Sequence, residues 1–347
     1  MSERIYRPFT EADYEALVAI HNACFPDIQE SVASWRHSDE NREARIKWGR
    51  WLCEEDGRAV GVAGFSGMSW MYHPRKFYGY VMVEPAARRR GVGAALYERL
   101  LAELDAHEPL SLRGEIFEEH ADGLRFAAAR GFVAGMRERE SVLDLTAFDP
   151  AAFAGDVERV LAPGDIAILG YEELAADPDR HRKLWELEGL TGRDMPAPEP
   201  ITIPDFDNYA RRMFSHPQFF PECFLVAVDE GAYVGETWLW HSATPGRLHT
   251  GFTGVLREYR GRGIAMAIKV KVLARAKALG YRDVLTWNDS TNASMLGVNG
   301  RLGFRERPAW IDHELIFAAA RPESPAEAAA AAEAASPPAS GAPAPDA

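Results

Sequence analysis

Cysteine is scarce in this chain. Cys24, Cys53 and Cys223 stand far apart among 347 residues, an odd and dispersed set that excludes a disulfide framework and offers no Cys-x-x-Cys pair for zinc. The ten histidines are scattered, with no His-Glu-x-x-His run, so no metal is expected. The opening residues, MSERIYRPF, lack an apolar signal core, and no stretch approaches the length of a membrane span. The cytoplasm is the expected compartment, and no membrane partner is expected. Positive charge is also short. The net charge is −13, of which Glu323, Glu327, Glu333 and Asp346 carry four in a tail without Lys or Arg beyond Arg321. The body stays acidic, which argues against a nucleic-acid partner, because a duplex-binding protein needs a broad basic face. It suits a cationic or amine-bearing small substrate.

What the chain does contain is enough apolar material for two cores. Its length suggests two domains, and 47% of its residues are hydrophobic, with nine tryptophans. A repeat explains the length. RRRGVG at 88–93 resembles RGRGIA at 260–265, with Gly263 following Gly91 by 172 residues. Phe132 ends ARGF and Phe304 ends RLGF, again 172 apart. Two resemblances in one register indicate a duplication.

Each copy reads alike. WLCEE, AVGVAGFSG and FYGYVMV have β character, as do CFLVAVD, YVGETWLW and LHTGFTGVL, with hairpin turns at Asp56–Arg58 and Glu230–Ala232. Helical spacing follows in VGAALYERLLAEL and IAMAIKVKVLARAKAL, the latter closed by Gly280. Then come a short strand, a helix and a last strand beginning at Gly-Phe. Two earlier helices have Thr10 and Asp177 as expected caps. The order β-α-α-β-β-β-α-β-α-β in each half gives an α/β fold, a mixed sheet with helices on both faces. The expected domains are 1–148 and 149–321, divided near Pro150 and Pro163. Residues 322–347, rich in Ala and Pro, are expected to be a disordered tail.

Each basic loop lies between a strand and a helix. A helix N-terminus presents unpaired N–H groups and favours an anion, glycine lets a phosphate approach, and arginine adds charge-assisted donors. One such loop alone could equally be a solvated turn; two in register point to a pyrophosphate cradle. The dinucleotide fingerprint fails because Met266 stands where its third glycine belongs, and Asp283 begins its strand rather than ending it. No Gly-x4-Gly-Lys-[Ser/Thr] is present.

Arg-x-x-Gly-x-Gly/Ala after a strand, followed by helix, strand, helix and Gly-Phe, resembles the GNAT superfamily of N-acetyltransferases, over essentially the whole folded chain, twice. TGVLREYRGRGIAMAI with NDSTNASMLGVNGRLGF is the stronger match; VMVEPAARRRGVGAAL is the weaker. A tandem arrangement occurs in related two-GNAT proteins. The resemblance implies two tandem acyl-CoA N-acyltransferase domains, each a mixed, splayed sheet, with acetyl-CoA as co-substrate. Its pyrophosphate would lie on Arg260, Gly261, Arg262, Gly263, Ile264 and Ala265, and in the first half on Arg88, Arg89, Arg90, Gly91, Val92 and Gly93. Backbone groups near Val255 and Val83 would face the thioester, where an N–H can stabilise the oxyanion.

The family's Asn at the start of the second helix corresponds to Asn292, and in the first half to His120. Asn292 serves equally as a helix N-cap. The family's thiolate-protonating Tyr corresponds to Asn299 and Ala127, so neither half has it. Asn288 and Asn292 favour the second half as catalytic. An alkyl amine, with a pKa on the order of 10, needs a base or water relay. Glu236 is the candidate, alternating with Val234, Trp238 and Trp240, where burial would raise its pKa; an exposed glutamate on a wet strand face is the alternative. His241, His249 and Asp289 are weaker candidates, and Trp287 either lines the acceptor pocket or packs in the core. Glu115 and Glu118 fall near the equivalent region of the first half. The expected activity is transfer of acetyl from acetyl-CoA to a primary amine, the acceptor an amine-bearing small molecule or, alternatively, a protein amine. The first half would be a second site or a non-catalytic CoA-binding or structural module. An aminoacyl transferase using charged tRNA is disfavoured by the acidic body and the intact loops. A monomer or a homodimer is compatible with the sequence.

Overall fold

The computed structural model describes residues 3–318 together with 323, 324, 327, 330 and 331; the expected disordered tail otherwise lies outside the described residues. The first half runs β1 (Arg4–Pro8), α1 (Tyr14–Cys24), α2 (Val32–Glu40), β2 (Trp48–Glu55), β3 (Arg58–Gly67), β4 (Lys76–Val83), α3 (Val92–Asp105), β5 (Ser111–Phe117), α4 (Ala121–Ala128) and β6 (Val133–Asp144). A short helix, α5 (Ala154–Leu161), leads to the second half. This runs β7 (Ile166–Gly170), α6 (Arg180–Gly192), α7 (Phe206–Phe214), β8 (Phe224–Asp229), β9 (Ala232–His241) and β10 (Arg247–Val255). It ends with α8 (Ile264–Ala278), β11 (Asp283–Asp289), α9 (Ala293–Leu302), β12 (Arg305–Glu306) and β13 (Trp310–Ile316).

Local chemistry fixes the joints. Asp56 and Gly57, like Glu230 and Gly231, all have positive φ, the geometry a two-residue hairpin needs. Gly280 follows α8 at φ 87°. Asp177 is not the cap of α6: the helix starts two residues later behind Asp179, and Asp177 accepts instead from the Asp179 N–H at 2.9 Å and from Lys183 at 2.8 Å. The stretch between Pro150 and Pro163, where the domains are expected to divide, folds as α5 and contributes Val160 to the core beneath α8.

Each half carries the expected mixed, splayed sheet, and the two sheets join into one. Among the described residues the order is β1-β2-β3-β4-β5-β13-β6-β11-β10-β9-β8-β7, with β12 beside β6. The last strands are exchanged. β13, from the second half, pairs with β5 from Trp310–Phe117 to Ile316–Ser111. β6, from the first half, pairs with β11 from Glu138–Asp289 to Asp144–Asp283. These two ladders match residue for residue at the 172-residue offset. At the seam Glu138 faces Trp310, its own counterpart in the repeat, so a pseudo-two-fold axis passes between them. On one face α3 and α8 pack over their half-sheets; on the other, α1 and α2 cover the first half while α6 and α7 cover the second.

Candidate functional site

The two basic loops adopt one conformation. Gly91 and Gly263 hold the N-cap positions of α3 and α8 at φ 85° and 88°, a left-handed region that penalises any side chain. A Cβ at Gly91 or Gly261 would meet nothing within 4 Å, so space above the loops is open. The first helical N–H groups have no intrahelical acceptor and face that space, a geometry that suits an anion. Val92 and Ile264 are buried in the cores and bring only their backbone to it. Gly93 and Ala265 follow as the small residues of the first turn.

The arginines hold the loops in shape as well as charging them. Arg88 Nε donates to the Val83 carbonyl at 2.9 Å, and Arg260 Nε to the Val255 carbonyl at 3.0 Å, folding each loop back on its strand. Arg260 also reaches Asp194 Oδ2 at 2.5 Å, and Arg257 shares that carboxylate. The two guanidiniums hold the Asp194 carboxyl well below the usual range. Arg262 pairs with Asp165, Arg90 with Glu55 at 2.6 Å, and Arg89 lies 3.5 Å from Asp122. Such exposed pairs exchange easily for a phosphate, since each is worth little.

Beside each loop the sheet opens. β4 pairs with β5 only over Lys76–Tyr78, and β10 with β11 only over Arg247–His249. Val83 and Val255 therefore line a wedge whose strand edge has no partner. The second half has an added feature: the β9–β10 register slips between Thr250 and Phe252, whereas β3–β4 runs without a slip. The Trp238 ring covers Gly251, where a Cβ would fall 1.4 Å from a ring carbon. A bulge of this kind bends the strand and re-aims the groups beyond it.

Glu236 is completely buried, which selects the buried reading over the wet strand face. It faces Val226 and Gly254 across the sheet, and neither carboxylate oxygen has a partner. Trp238 and Trp240 share its face; Val234 does not, because the β8–β9 register shifts there and Val234 joins the core beneath α8. Glu188 of α6 lies close above. Thr191, one turn along the same helix, would sit 2.5 Å from a Cβ on Gly254. The Tyr209 hydroxyl donates to Glu188 Oε2 at 3.2 Å. Burial pushes the Glu236 carboxyl well above its ordinary pKa, and the charge of Glu188 pushes it further. Burial likewise raises Glu188, opposed by the Tyr209 hydrogen bond and Arg212. The equivalent cross-strand row of the first half is Leu52–Val62–Met82, with Val62 in place of the glutamate.

The other sequence candidates divide. Asn292 caps α9, its Oδ1 accepting from the Met295 N–H at 3.1 Å. His120 sits at the N-cap of α4 without a side-chain bond and stacks on Phe25, ring centroids 5.5 Å apart. His249 stands where the wedge begins, pushed down to about 4 by burial. His241 accompanies Tyr281 and Phe220 away from the wedge. Trp287 lines the sheet face beside His249 and donates to Glu140 of β6 at 3.1 Å, so the exchanged strand helps to build this wall. Asp289 Oδ1 accepts the Thr291 N–H at 2.7 Å. Glu115 lies among Tyr78, Glu138 and Asp312 and is raised to about 7, chiefly by burial; Glu118 pairs with Arg137. Glu188, Tyr209 and Asp194 were absent from the sequence reading. Glu188 had a signal: it stands in the stripe Leu184, Leu187, Glu188, Thr191, where helical spacing calls for an apolar residue. Among the described residues no cluster of side chains could hold a metal ion and no helix is long and apolar enough to cross a membrane.

Residues 14–132 and 184–304 each match the acetyltransferase (GNAT) family. The mycothiol acetyltransferase of Clavibacter michiganensis is 29% identical over 257 residues, covering 72% of this chain and 74% of its own length. That of a Parafrankia species is 27% identical over 256 residues, 67% of this chain and 74% of its own. Two solved structures share the fold at 20% identity. One is a tandem GNAT protein from the clavulanic acid biosynthesis pathway, with a TM-score of 0.71 over 93% of this chain and 100% of its own. The other is a GCN5-related N-acetyltransferase from Sphaerobacter thermophilus, with a TM-score of 0.65 over 90% of this chain and 95% of its own. With both halves matched, the chain belongs to the acetyltransferase (GNAT) family and is an acetyl-CoA-dependent N-acetyltransferase of the two-domain kind.

Proposed function

We propose that the second half transfers acetyl from acetyl-CoA to the primary amine of a small-molecule acceptor by direct attack. The pyrophosphate lies on the N–H groups from Gly261 to Ala265, and the cofactor arm fills the wedge beside β10. The amine nitrogen attacks the thioester carbon, an N–H near Val255 receives the oxyanion, and the carbon–sulfur bond breaks to release the CoA thiolate, which takes up, through water, the proton that the nitrogen sheds as the amide forms. Glu236, directly or through water, takes the proton from the ammonium. The observation that carries this reading is the contrast between the halves: Glu236 is sealed with both oxygens free, while Val62 occupies the same place in the first half. A carboxyl raised by burial is a better match to an ammonium than one of ordinary pKa. His249, held near 4, is too weak a base.

The first half, with the same loop but with Val62, His120 and Ala127, holds CoA without turnover. The mycothiol acetyltransferase relatives put their own acceptor first on a panel of amines, to be read by free-thiol release. Acetyl-CoA titrated calorimetrically into the wild type, Gly263→Val and Gly91→Val tests the assignment. Gly263→Val is expected to abolish turnover and remove one binding event; Gly91→Val is expected to keep turnover. Unchanged turnover in Gly263→Val, or lost turnover only in Gly91→Val, overturns it.

A further inference from the structure

The duplicated sheet permits a position-by-position comparison of the space beneath the helices that cover it. In the second half one cross-strand row reads Phe224–Trp238–Phe252, and its three rings fill the core under α6 and α7. The same row of the first half reads Arg50–Gly64–Tyr80. Gly64 carries no ring, and the Tyr80 phenol lies over it, its hydroxyl within 2.8 Å of where a Cβ would stand. Beside this row lies a cavity of about 320 Å³ beneath α1 and α2, with Trp35, Trp48, Tyr80, Glu30, Arg42 and Arg50 among its walls. That size lies at the lower end of small-metabolite sites.

The walls are polar in a particular way. Arg50 is buried and committed: it donates to Asp39 at 2.7 and 3.1 Å and to the Tyr80 hydroxyl at 2.7 Å. Arg42 shares Asp39 and donates to Ser66 Oγ at 2.9 Å. Two guanidiniums against one carboxylate leave this side of the cavity positive. Glu30 makes the other side negative. Three buried polar atoms of the walls have no partner: Arg42 Nε, Trp35 Nε1 and Glu30 Oε2. Two are donors and one is a carboxylate oxygen. Buried polar groups in folded proteins are nearly always satisfied, and leaving them bare is costly. Trp35, Trp48 and Tyr80 supply flat apolar surface between the two poles.

We propose that the first half binds a small zwitterion, a molecule with a free ammonium and a free carboxylate such as an α-amino acid, in this cavity. The carboxylate lies against Arg42 Nε and Trp35 Nε1, and the ammonium against Glu30. The side chain packs on the tryptophan and tyrosine rings. With Val62 where a base would stand, the bound amine is held rather than acetylated. The site is independent of the chemistry assigned to the second half.

Calorimetric titration of the full chain with the L-amino acids tests this, followed by the N-acetyl and methyl ester derivatives of the tightest binder. One of them is expected to bind, and each derivative, lacking one charge, to bind at least about tenfold more weakly. Trp35→Phe, which keeps the ring and removes the donor, and Glu30→Gln are each expected to weaken binding at least about tenfold. Gly64→Trp, which installs the other half's residue, is expected to abolish it; since that change can also prevent folding, the conservative variants and the derivatives decide. Because all three variants lie in the first half, an amino acid bound in the second half would be unaffected by them. No binding at millimolar concentration, equal binding of parent and derivatives, or unchanged binding by Trp35→Phe and Glu30→Gln overturns the proposal.

Discussion

At the scale of the residue, the neighbours of Glu236 set its proton affinity more than the glutamate itself does. Burial raises both Glu236 and Glu188, and the charge of Glu188 raises Glu236 further. A raised folded-state pKa means that stability from the neutral carboxyls is present in acid and is lost as pH rises through the folded-state value. Glu188→Gln should therefore raise the melting temperature above pH 7, with the difference vanishing near pH 4; the reverse order would show that the pair is stabilising when charged. The same substitution should move the acidic limb of the rate profile to lower pH, since Glu236 then ionises without a neighbouring charge. Glu188 was only half legible in the sequence, because a helix wheel shows its stripe but not which strand the stripe lands on. Glu236 was visible as a candidate, yet its burial depended on the α6 packing and on a register shift at Val234 that alternation alone does not reveal.

At the scale of the element, the loop and the bulge make separable predictions. A β-branched residue at Gly263 must adopt φ near 88°, at about 1–2 kcal/mol, and also screens the N–H cradle. Gly251→Ala would force the Trp238 ring off the bulge, because the new Cβ falls inside the ring. Overpacking typically costs about 1–3 kcal/mol. A lowered melting temperature together with a turnover reduced by more than the acetyl-CoA affinity is expected; a variant with wild-type kinetics would show that the bulge does not position the wedge. The loops were legible because their chemistry is local: glycine at positive φ, arginine after the strand, and apolar spacing in the following helix. The bulge was not, since nothing in LHTGFTGVL distinguishes it from FYGYVMV before the partner strands are known. Gly251 and Gly79 even occupy matching positions.

At the scale of the whole molecule, the exchange of β6 and β13 ties the halves together. The repeat predicted two GNAT units, but not that each lends its last strand to the other's sheet. Pairing at home and pairing across the seam satisfy the same alternation of residues, so only the three-dimensional arrangement separates them. Each half alone would lose the partner of β5 or β11 and expose a long strand edge. Differential scanning calorimetry should accordingly give a single cooperative transition, and fragments 1–148 and 149–347 expressed separately should aggregate or recover a fold only when combined. Two well-separated transitions, or a stable monomeric fragment, would contradict a shared sheet. Other contacts also join the halves: Glu140 of β6 holds Trp287, and His37 of α2 meets His216, ring centroids 4.8 Å apart.

The claim that Glu236 takes the proton from the amine in the second half is tested most directly by thiol release from acetyl-CoA, measured against pH for the wild type and Glu236→Gln with the best amine of the panel. The account predicts a loss in kcat of roughly 10²–10⁴, disappearance of the acidic limb and unchanged acetyl-CoA affinity. Turnover within a few-fold of the wild type, with the acidic limb still in place, would contradict it.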